Sequence, residues 1–496
     1  MFCVNLKKVI IKTHVLVKQK FVWNILLVIL LNLLIKPFYI LGIDAEVINR
    51  VGASVYGNYF ALINFSFLLN IILDLGITNY NVKNIAQHHQ LVEKHFSGII
   101  TLRFILVFIY LLCTLFIAVF LGYSVIQLKL LFILAINQAL VAFILYMRSN
   151  LAGLHLFIQD SFVSVLDRIL LIIMCSILLW GGVVSRPFQI EWFVFAQTIA
   201  YFTTLLFCAF LLIKKTNILH IRWSLPFALI ILKRSFPYAL LILLMTIYYR
   251  VDSIMLERML DDQSVQAGIY AQAYRFFEAS NMIAYLFAAL LLPILSRMIK
   301  TKESVVEIIN CSFKMLMCFA FTISIFSYLY SYDLMSFRYH QYITESSEIF
   351  IILMTCFLFV SSTYIYGTLL TANGNLLQLN IVAGLGLTIN VILNIILIPQ
   401  YMAWGSAIAS LITQSITGIA QFILCCYIFK LDLRLTLFRI FIFSLGLFLF
   451  GYYSQFFINS KELVFICYFI MSIIWAFFTK LLSFSDFSLL IDNRMK

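Results

Sequence analysis

The sequence predicts an all-α polytopic membrane protein of about 14 transmembrane helices, and three observations lead to this prediction. Of the 496 residues, 64% are hydrophobic and only 11% are charged, and the mean hydropathy is +1.04. Apolar stretches recur along the whole chain, each near the ~20 residues that a helix needs to cross a bilayer. The polar intervals between them are too short to form a soluble core, so function is expected to belong to the helices.

The predicted spans follow one another from the N-terminus, and each ends where polar or charged residues interrupt the apolar run. They cover 21–41, 54–77, 97–122, 126–150, 161–182, 190–213, 235–257, 268–298, 308–330, 346–372, 378–400, 404–429, 436–457 and 461–484. The first span follows a lysine-rich segment and has no small-residue cleavage site after it. We therefore expect a retained span and not a signal peptide.

Lysine and arginine are concentrated in alternate connections between the predicted spans. With the N-terminus inside, the inner segments hold 23 of the 34 basic residues and the outer segments hold six. Cytoplasmic connections of membrane proteins carry this excess, so both termini are predicted to be cytoplasmic. The formal net charge of +13 is explained by this topology, and no nucleic-acid partner is needed.

Several function classes lack their sequence signature. No glycine is followed by lysine, which excludes the phosphate-binding loop of nucleotide hydrolases. The ten cysteines form no CxxC pair and the histidines have no metal-ligand spacing, so no metal and no cofactor are expected. A membrane-embedded glycan polymerase or ligase needs carboxylates on a substantial outer loop, and the predicted outer loops are short. We predict that the protein is not an enzyme and has no catalytic residues.

A short internal repeat predicts two related halves. Tyr56-Gly57-Asn58-Tyr59-Phe60-Ala61 enters the second span, Ala267-Gly268-Ile269-Tyr270-Ala271-Gln272 enters the eighth, and Gly57 and Gly268 are 211 residues apart. Because six spans separate the copies, the pseudo-axis would lie along the membrane normal; chance recurrence of glycine and tyrosine is the alternative. The predicted organisation is a basic N-terminus (1–20), a six-helix lobe (21–213), a basic connection (214–234), a second lobe (235–429) and two additional helices with a tail (430–496).

Three sequence blocks carry a family resemblance. They are Val51-Gly52-Ala53-Ser54-Val55-Tyr56-Gly57-Asn58-Tyr59, Arg250-Val251-Asp252-Ser253-Ile254-Met255-Leu256, and Asn390-Val391-Ile392-Leu393-Asn394-Ile395-Ile396-Leu397-Ile398-Pro399. In this order the blocks resemble the Wzx-type O-antigen and polysaccharide flippases of the multidrug/oligosaccharidyl-lipid/polysaccharide exporter superfamily.

The resemblance implies two six-helix lobes around a central cavity that opens alternately to each side, as in MATE transporters, with two added helices. It implies a substrate in which an oligosaccharide is linked to polyprenyl diphosphate. That substrate would move from the inner to the outer leaflet of the bacterial cytoplasmic membrane. The implied partners are this glycan, membrane lipids, H+ or Na+ as a coupling ion, and polysaccharide polymerase or ligase machinery.

Ionisable residues within the spans are the candidate functional residues, because a charge at a helix centre costs about 2.5–3.5 kcal/mol to insert. Five cations are candidate ligands of the diphosphate: Arg250, Arg275, Lys36, Arg168 and Arg148. Arginine matches the acceptors of a phosphate with two parallel hydrogen bonds. The structural alternative is that Glu278 pairs with Arg275 or with Arg250.

Three carboxylates are candidates for ion coupling or for charge pairing: Asp252, Glu278 and Asp74. A buried carboxylate binds a proton or a cation when its surroundings change between two states. The principal rival function is a multidrug or metabolite cation antiporter of the same fold. Such an antiporter favours a carboxylate-rich cavity, whereas the intramembrane candidates here include more cations than carboxylates.

Overall fold

The computed structural model describes residues 31–78, 81, 91–154, 156–182, 186–214, 225–261, 264–457 and 460–483. The predicted basic N-terminus, 1–20, and residues 215–224 of the predicted basic connection lie outside the described residues. The described part is almost entirely helical and contains no β-strand. The prediction of an all-α polytopic membrane protein is therefore confirmed.

Thirteen helices are labelled here in chain order. Residues 31–38 are helical and continue through a π-helical segment, Tyr39–Asp44, into the first of them. The labels are α1 (Ala45–Leu68), α2 (Ile71–Asp74), α3 (Leu91–Phe120), α4 (Val125–Gly153), α5 (Phe157–Trp180), α6 (Ile190–Ile213), α7 (Leu225–Met259), α8 (Val265–Lys300), α9 (Val306–Arg338), α10 (Ile343–Ala372), α11 (Leu376–Phe429), α12 (Arg434–Phe457) and α13 (Lys461–Phe478).

Eleven helical stretches of the described chain are long and apolar enough to cross a membrane. Two of them are long enough for two passes: Leu31–Asp74 has 44 residues and Leu376–Phe429 has 54. Each long stretch contains one residue with non-helical backbone angles, Gly52 in the first and Met402 in the second. The helix count of 14 remains a prediction, because the eleven stretches alone do not establish it.

The chain divides into two compact units. Unit 1 comprises Met1–Val51 and Asn58–Thr246, and unit 2 comprises Gly52–Gly57 and Ile247–Lys496. Within unit 1, α4 packs against α6 and α3, and α5 packs against α6. Within unit 2, α10 packs against α8, α9 and α11, and α12 and α13 pack against α9 and against each other. Each unit therefore has its own packed set of helices.

The packing follows the rules of helices in lipid. Large apolar side chains are exposed, for example Phe116 at 74% and Phe337 at 87%, which suits hydrocarbon better than water. Small residues allow close helix contacts: a Cβ atom on Gly446 of α12 would lie 2.3 Å from the indole nitrogen of Trp475 on α13. Glycine at this position lets the last two helices approach each other.

Candidate functional site

In unit 2, two arginines on neighbouring helices meet at one carboxylate. Glu278 of α8 accepts a hydrogen bond from Arg275 Nη1 at 2.6 Å, and its other oxygen lies 3.7 Å from Arg250 Nη2 of α7. Both pairings that the sequence left as structural alternatives are therefore present together. The Arg275 side chain is 10% exposed, while those of Arg250 and Glu278 are 22% and 27% exposed. These three groups carry one net positive charge.

Arg275 has a further partner that the sequence did not identify. Its Nε and Nη2 atoms donate to the hydroxyl of Tyr56 at 3.0 and 2.6 Å. Tyr56 is fully buried, and sequence analysis noted it only within the repeat and the first block of the family resemblance. A neutral tyrosine in an apolar chain carries no sign of such a role, and this partner is 219 residues away along the chain.

Asp252 has a different environment, although it lies only two residues from Arg250. Tyr270 Oη donates to one carboxylate oxygen at 3.1 Å and Asn394 Nδ2 donates to the other at 2.8 Å. The hydroxyl of Ser410 also donates to this carboxylate. Asp252 is 3% exposed, and its hydrogen-bond partners among the described residues are all neutral. The structure thus separates Asp252 from the arginine network.

More polar groups of α11 surround this carboxylate. Asn390 and Asn394 are fully buried and hydrogen-bonded to each other, and the Oδ1 atom of Asn394 has no hydrogen-bond partner in the described structure. A cavity of about 10 Å³ lies beside Asp252, Ser410 and Gln414, which is about the space of one water molecule. The arrangement offers several oxygen ligands around one carboxylate, the donor set that hard cations prefer.

In unit 1, Arg168 is enclosed by aromatic rings. Its guanidinium lies 4.7 Å from the ring centre of Tyr39 and 5.8 Å from that of Tyr201. It also donates to the Tyr201 hydroxyl at 3.2 Å, and the adjacent Asp167 lies 3.7 Å from its Nε atom. Cation–π contacts of this kind hold a guanidinium in place without neutralising its charge.

Lys36 and Arg148 belong to the same region of unit 1. Lys36 interacts electrostatically with Arg168, Asp167 and Arg148. Arg148 forms a two-bond pair with Asp160, at 2.7 and 3.4 Å. Sequence analysis did not single out Asp160. The region therefore contains three of the five candidate substrate ligands, each close to at least one carboxylate.

Asp74 is paired with an arginine that sequence analysis also overlooked. Arg103 of α3, 1% exposed, donates to the Asp74 carboxylate and to the carbonyl oxygen of Ala142 at 3.1 Å. Its guanidinium lies 4.8 Å from the ring centre of Tyr146. Arg103 lies inside the predicted span 97–122, but sequence analysis did not single it out. Its position within the apolar run Ile99–Phe104 was the signal that it is buried.

No group of three or more histidine, cysteine, aspartate or glutamate side chains is placed to hold a metal ion in the described part of the chain. The described clusters are held together by ion pairs and hydrogen bonds. Two arrangements are relevant to a ligand: the Arg250–Glu278–Arg275 network, which suits an anion, and the oxygen-rich surroundings of Asp252, which suit a small cation.

Comparisons with known proteins agree with this architecture. The family model described as polysaccharide biosynthesis protein matches residues 21–299. The lipid II flippase MurJ, in an inward closed conformation, is similar with a TM-score of 0.69 at 16% identity, covering 94% of this chain and 98% of that one. A multidrug resistance MATE family transporter of the MOP superfamily is similar in its inward-facing form, with a TM-score of 0.63 at 14% identity, covering 79% and 94%. No curated protein matches the chain.

Proposed function

The chain belongs to the polysaccharide biosynthesis protein family, and we propose that it is a flippase for an oligosaccharide linked to polyprenyl diphosphate. It moves the glycan from the inner to the outer leaflet of the bacterial cytoplasmic membrane by alternating access, with both of its termini in the cytoplasm. The glycan is a repeat unit of O-antigen, capsule or exopolysaccharide, which polymerase or ligase machinery then consumes. The family assignment and the likeness in fold to a lipid II flippase support this proposal.

The observation that carries the proposal is the network of Arg250, Glu278 and Arg275 between α7 and α8. Its net positive charge favours a ligand that brings negative charge into an environment where isolated charges are costly. A diphosphate supplies that charge and several acceptor oxygens, and two guanidinium groups match it with parallel hydrogen bonds. Glu278 holds the two arginines at one place before the ligand arrives.

Lys36, Arg168 and Arg148 form a second group of cationic ligands in this proposal. The aromatic neighbours of Arg168 do not neutralise its charge, which the adjacent Asp167 balances in part. Lys36 interacts electrostatically with both Arg168 and Arg148. Arg148 is held by Asp160 and positions the group. Together they attract the anionic headgroup to unit 1.

We assign the coupling ion to Asp252 and charge pairing to Glu278 and Asp74. Asp252 offers a carboxylate, Tyr270 and Ser410 offer hydroxyl oxygens, and Asn394 offers its Oδ1 atom, which has no hydrogen-bond partner in the described structure. A bound Na+ replaces hydrogen bonds that these groups now donate, whereas a bound proton occupies one carboxylate oxygen and leaves the other as an acceptor. Glu278 and Asp74 are paired with arginines, which leaves Asp252 as the carboxylate best suited to exchange an ion.

The alternative function is a multidrug or metabolite cation antiporter. The isolated carboxylate of Asp252 and the likeness in fold to MATE transporters favour it. The two functions differ in cargo, since an antiporter carries a cation in place of a diphosphate. A transport assay with both cargoes therefore separates them.

The test uses the full chain in proteoliposomes with a fluorescent oligosaccharide on polyprenyl diphosphate. The wild-type protein should flip this lipid, and the double variant Arg250→Gln with Arg275→Gln should not. Arg186→Gln, at an exposed loop position, is the matched control and should retain flipping. Full flipping by the double variant would refute the proposal that these two arginines bind the substrate. Gradient-driven uptake of a cationic dye without lipid flipping would instead establish the antiporter.

A further inference from the structure

The two glycines of the internal repeat meet where α1 crosses α8, within unit 2. A Cβ atom on Gly57 would lie 2.0 Å from the carbonyl oxygen of Ser264 and 2.6 Å from the nitrogen of Gly268. A Cβ atom on Gly268 would lie 2.0 Å from the carbonyl oxygen of Ala53. All of these neighbours are backbone atoms, which cannot rotate away as a side chain does. The crossing therefore requires glycine on both helices.

A break in the regular backbone precedes each glycine. Gly52 has φ 83° and interrupts α1 five residues before Gly57, and Ser264 has φ 67° immediately before α8 begins. Positive φ is readily adopted by glycine and is uncommon for serine. One break lies beside the crossing on each of the two helices. The crossing segments can therefore change direction without disturbing the rest of either helix.

Tyr56, next to Gly57, occupies the edge of Arg275 that a phosphate would use. The Nε and Nη2 atoms form the side-on fork of the guanidinium, and both donate to the single hydroxyl oxygen of Tyr56. The third nitrogen, Nη1, donates to Glu278. Arginine binds carboxylates and phosphates through such a two-bond fork. The tyrosine hydroxyl thus takes the place of an acceptor on the ligand.

We propose that Tyr56 and the anionic headgroup of the substrate compete for Arg275, and that binding of the anion loosens the packing of residues 53–57 against the start of α8 within unit 2. This inference rests on the proposed function, because it assumes that Arg275 binds a diphosphate. A charged phosphate oxygen is a stronger acceptor than a neutral hydroxyl, so the ligand displaces Tyr56. Loss of two hydrogen bonds inside the protein is costly unless water replaces them. Water reaches the Tyr56 hydroxyl when the crossing separates.

The binding test uses farnesyl diphosphate as a probe and the purified full chain in detergent. Tyr56→Phe removes the competing hydroxyl and should lower the Kd for the probe by about tenfold or more, as expected for hydrogen bonds to a charged group. Tyr110→Phe is the matched control. Tyr110 is equally buried and donates to the carbonyl oxygen of Ser66 at 2.8 Å, and its variant should leave the Kd unchanged. An unchanged or higher Kd for Tyr56→Phe overturns the competition.

The crossing is tested with a second pair of variants. Gly57→Ala must separate residues 53–57 from the start of α8 by about 1 Å or more, because real Cβ contacts do not fall below 3.0 Å. It should therefore also lower the Kd for farnesyl diphosphate. Gly384→Ala, whose Cβ atom would meet nothing within 4 Å, is the control and should not. A Kd that Gly57→Ala leaves unchanged, in a protein that still folds, overturns the link between the crossing and Arg275.

Hydrogen exchange of the wild-type protein provides a test that does not depend on any variant. Binding of farnesyl diphosphate should speed amide exchange in residues 53–57 and 264–268, whereas ligands ordinarily slow it. Slower or unchanged exchange there overturns the proposal. Arg275→Gln separates this inference from the proposed function. If that variant binds the probe as the wild type does, the diphosphate site itself is wrong. If it binds less well while Tyr56→Phe binds no better, only the competition is wrong.

Discussion

Replacing Asp252 by asparagine should remove the dependence of flipping on an ion gradient. The substitution keeps the shape of the side chain and one acceptor oxygen, but it removes the negative charge from a position that is 3% exposed. A proton can no longer be exchanged there, and a cation loses its charged ligand. Asparagine keeps one acceptor oxygen, so one of the two hydrogen bonds donated by Tyr270 and Asn394 can persist unchanged. The other donor must turn toward the same oxygen.

The expected size of the effect follows from Coulomb's law. Two unit charges about 3 Å apart attract by roughly 5 kcal/mol at an effective dielectric constant of about 20. The amide oxygen of asparagine recovers part of this attraction. A net loss of about 2–3 kcal/mol raises the cation concentration needed for half-maximal transport by roughly 30- to 150-fold.

The assay measures flipping of the fluorescent lipid-linked oligosaccharide in proteoliposomes, with and without an imposed Na+ or pH gradient. Asp432→Asn, at an exposed position, is the matched control and should respond to the gradient as the wild type does. Binding of farnesyl diphosphate should be unchanged by Asp252→Asn, because Asp252 is not among the groups of the arginine network. Gradient-dependent flipping that survives Asp252→Asn would refute the reasoning and transfer the coupling role to Glu278.

The remaining predictions concern the ion pairs and the topology. Glu278→Gln should lower the melting temperature in detergent more than Arg275→Gln does, because it leaves two arginines without their carboxylate whereas Arg275→Gln leaves Glu278 paired with Arg250; equal losses would argue against this shared pairing. Arg103→Met should lower the free energy of unfolding by about 1.5–3 kcal/mol, since it removes the hydrogen bonds of a buried guanidinium to a carboxylate that is 27% exposed. Arg50→Met, at an exposed pair, should lower it by less than about 1 kcal/mol, and equal losses in urea unfolding would contradict the burial argument. Reporter fusions in the loop between α8 and α9 should behave as cytoplasmic and those between α9 and α10 as periplasmic; a reversal of either requires a new topology.

Much of the fold class and part of the candidate site could be predicted from residue types alone. Apolar runs of membrane length are visible in one dimension, and so is a charge within such a run, because the bilayer penalises both exposed backbone and isolated charge. Arg250, Asp252, Arg275, Glu278 and Asp74 were found for this reason. Arg103 has the same signal, and it was missed because it lies near the predicted end of its span.

Residue types alone specify the membrane class and the charged candidates, whereas helix packing specifies which of these groups meet. Arg250 and Asp252 are two residues apart on α7, so the geometry of the helix directs them to different sides. Arg250 lies near Glu278, while Asp252 contacts Asn394 and Ser410, 142 and 158 residues away. The neutral partners, Tyr56 at Arg275 and Asn394 and Ser410 at Asp252, are uncharged, so nothing in the sequence marks them as members of a site. Their roles depend on helix packing, which brings distant residues together and which local sequence patterns do not specify.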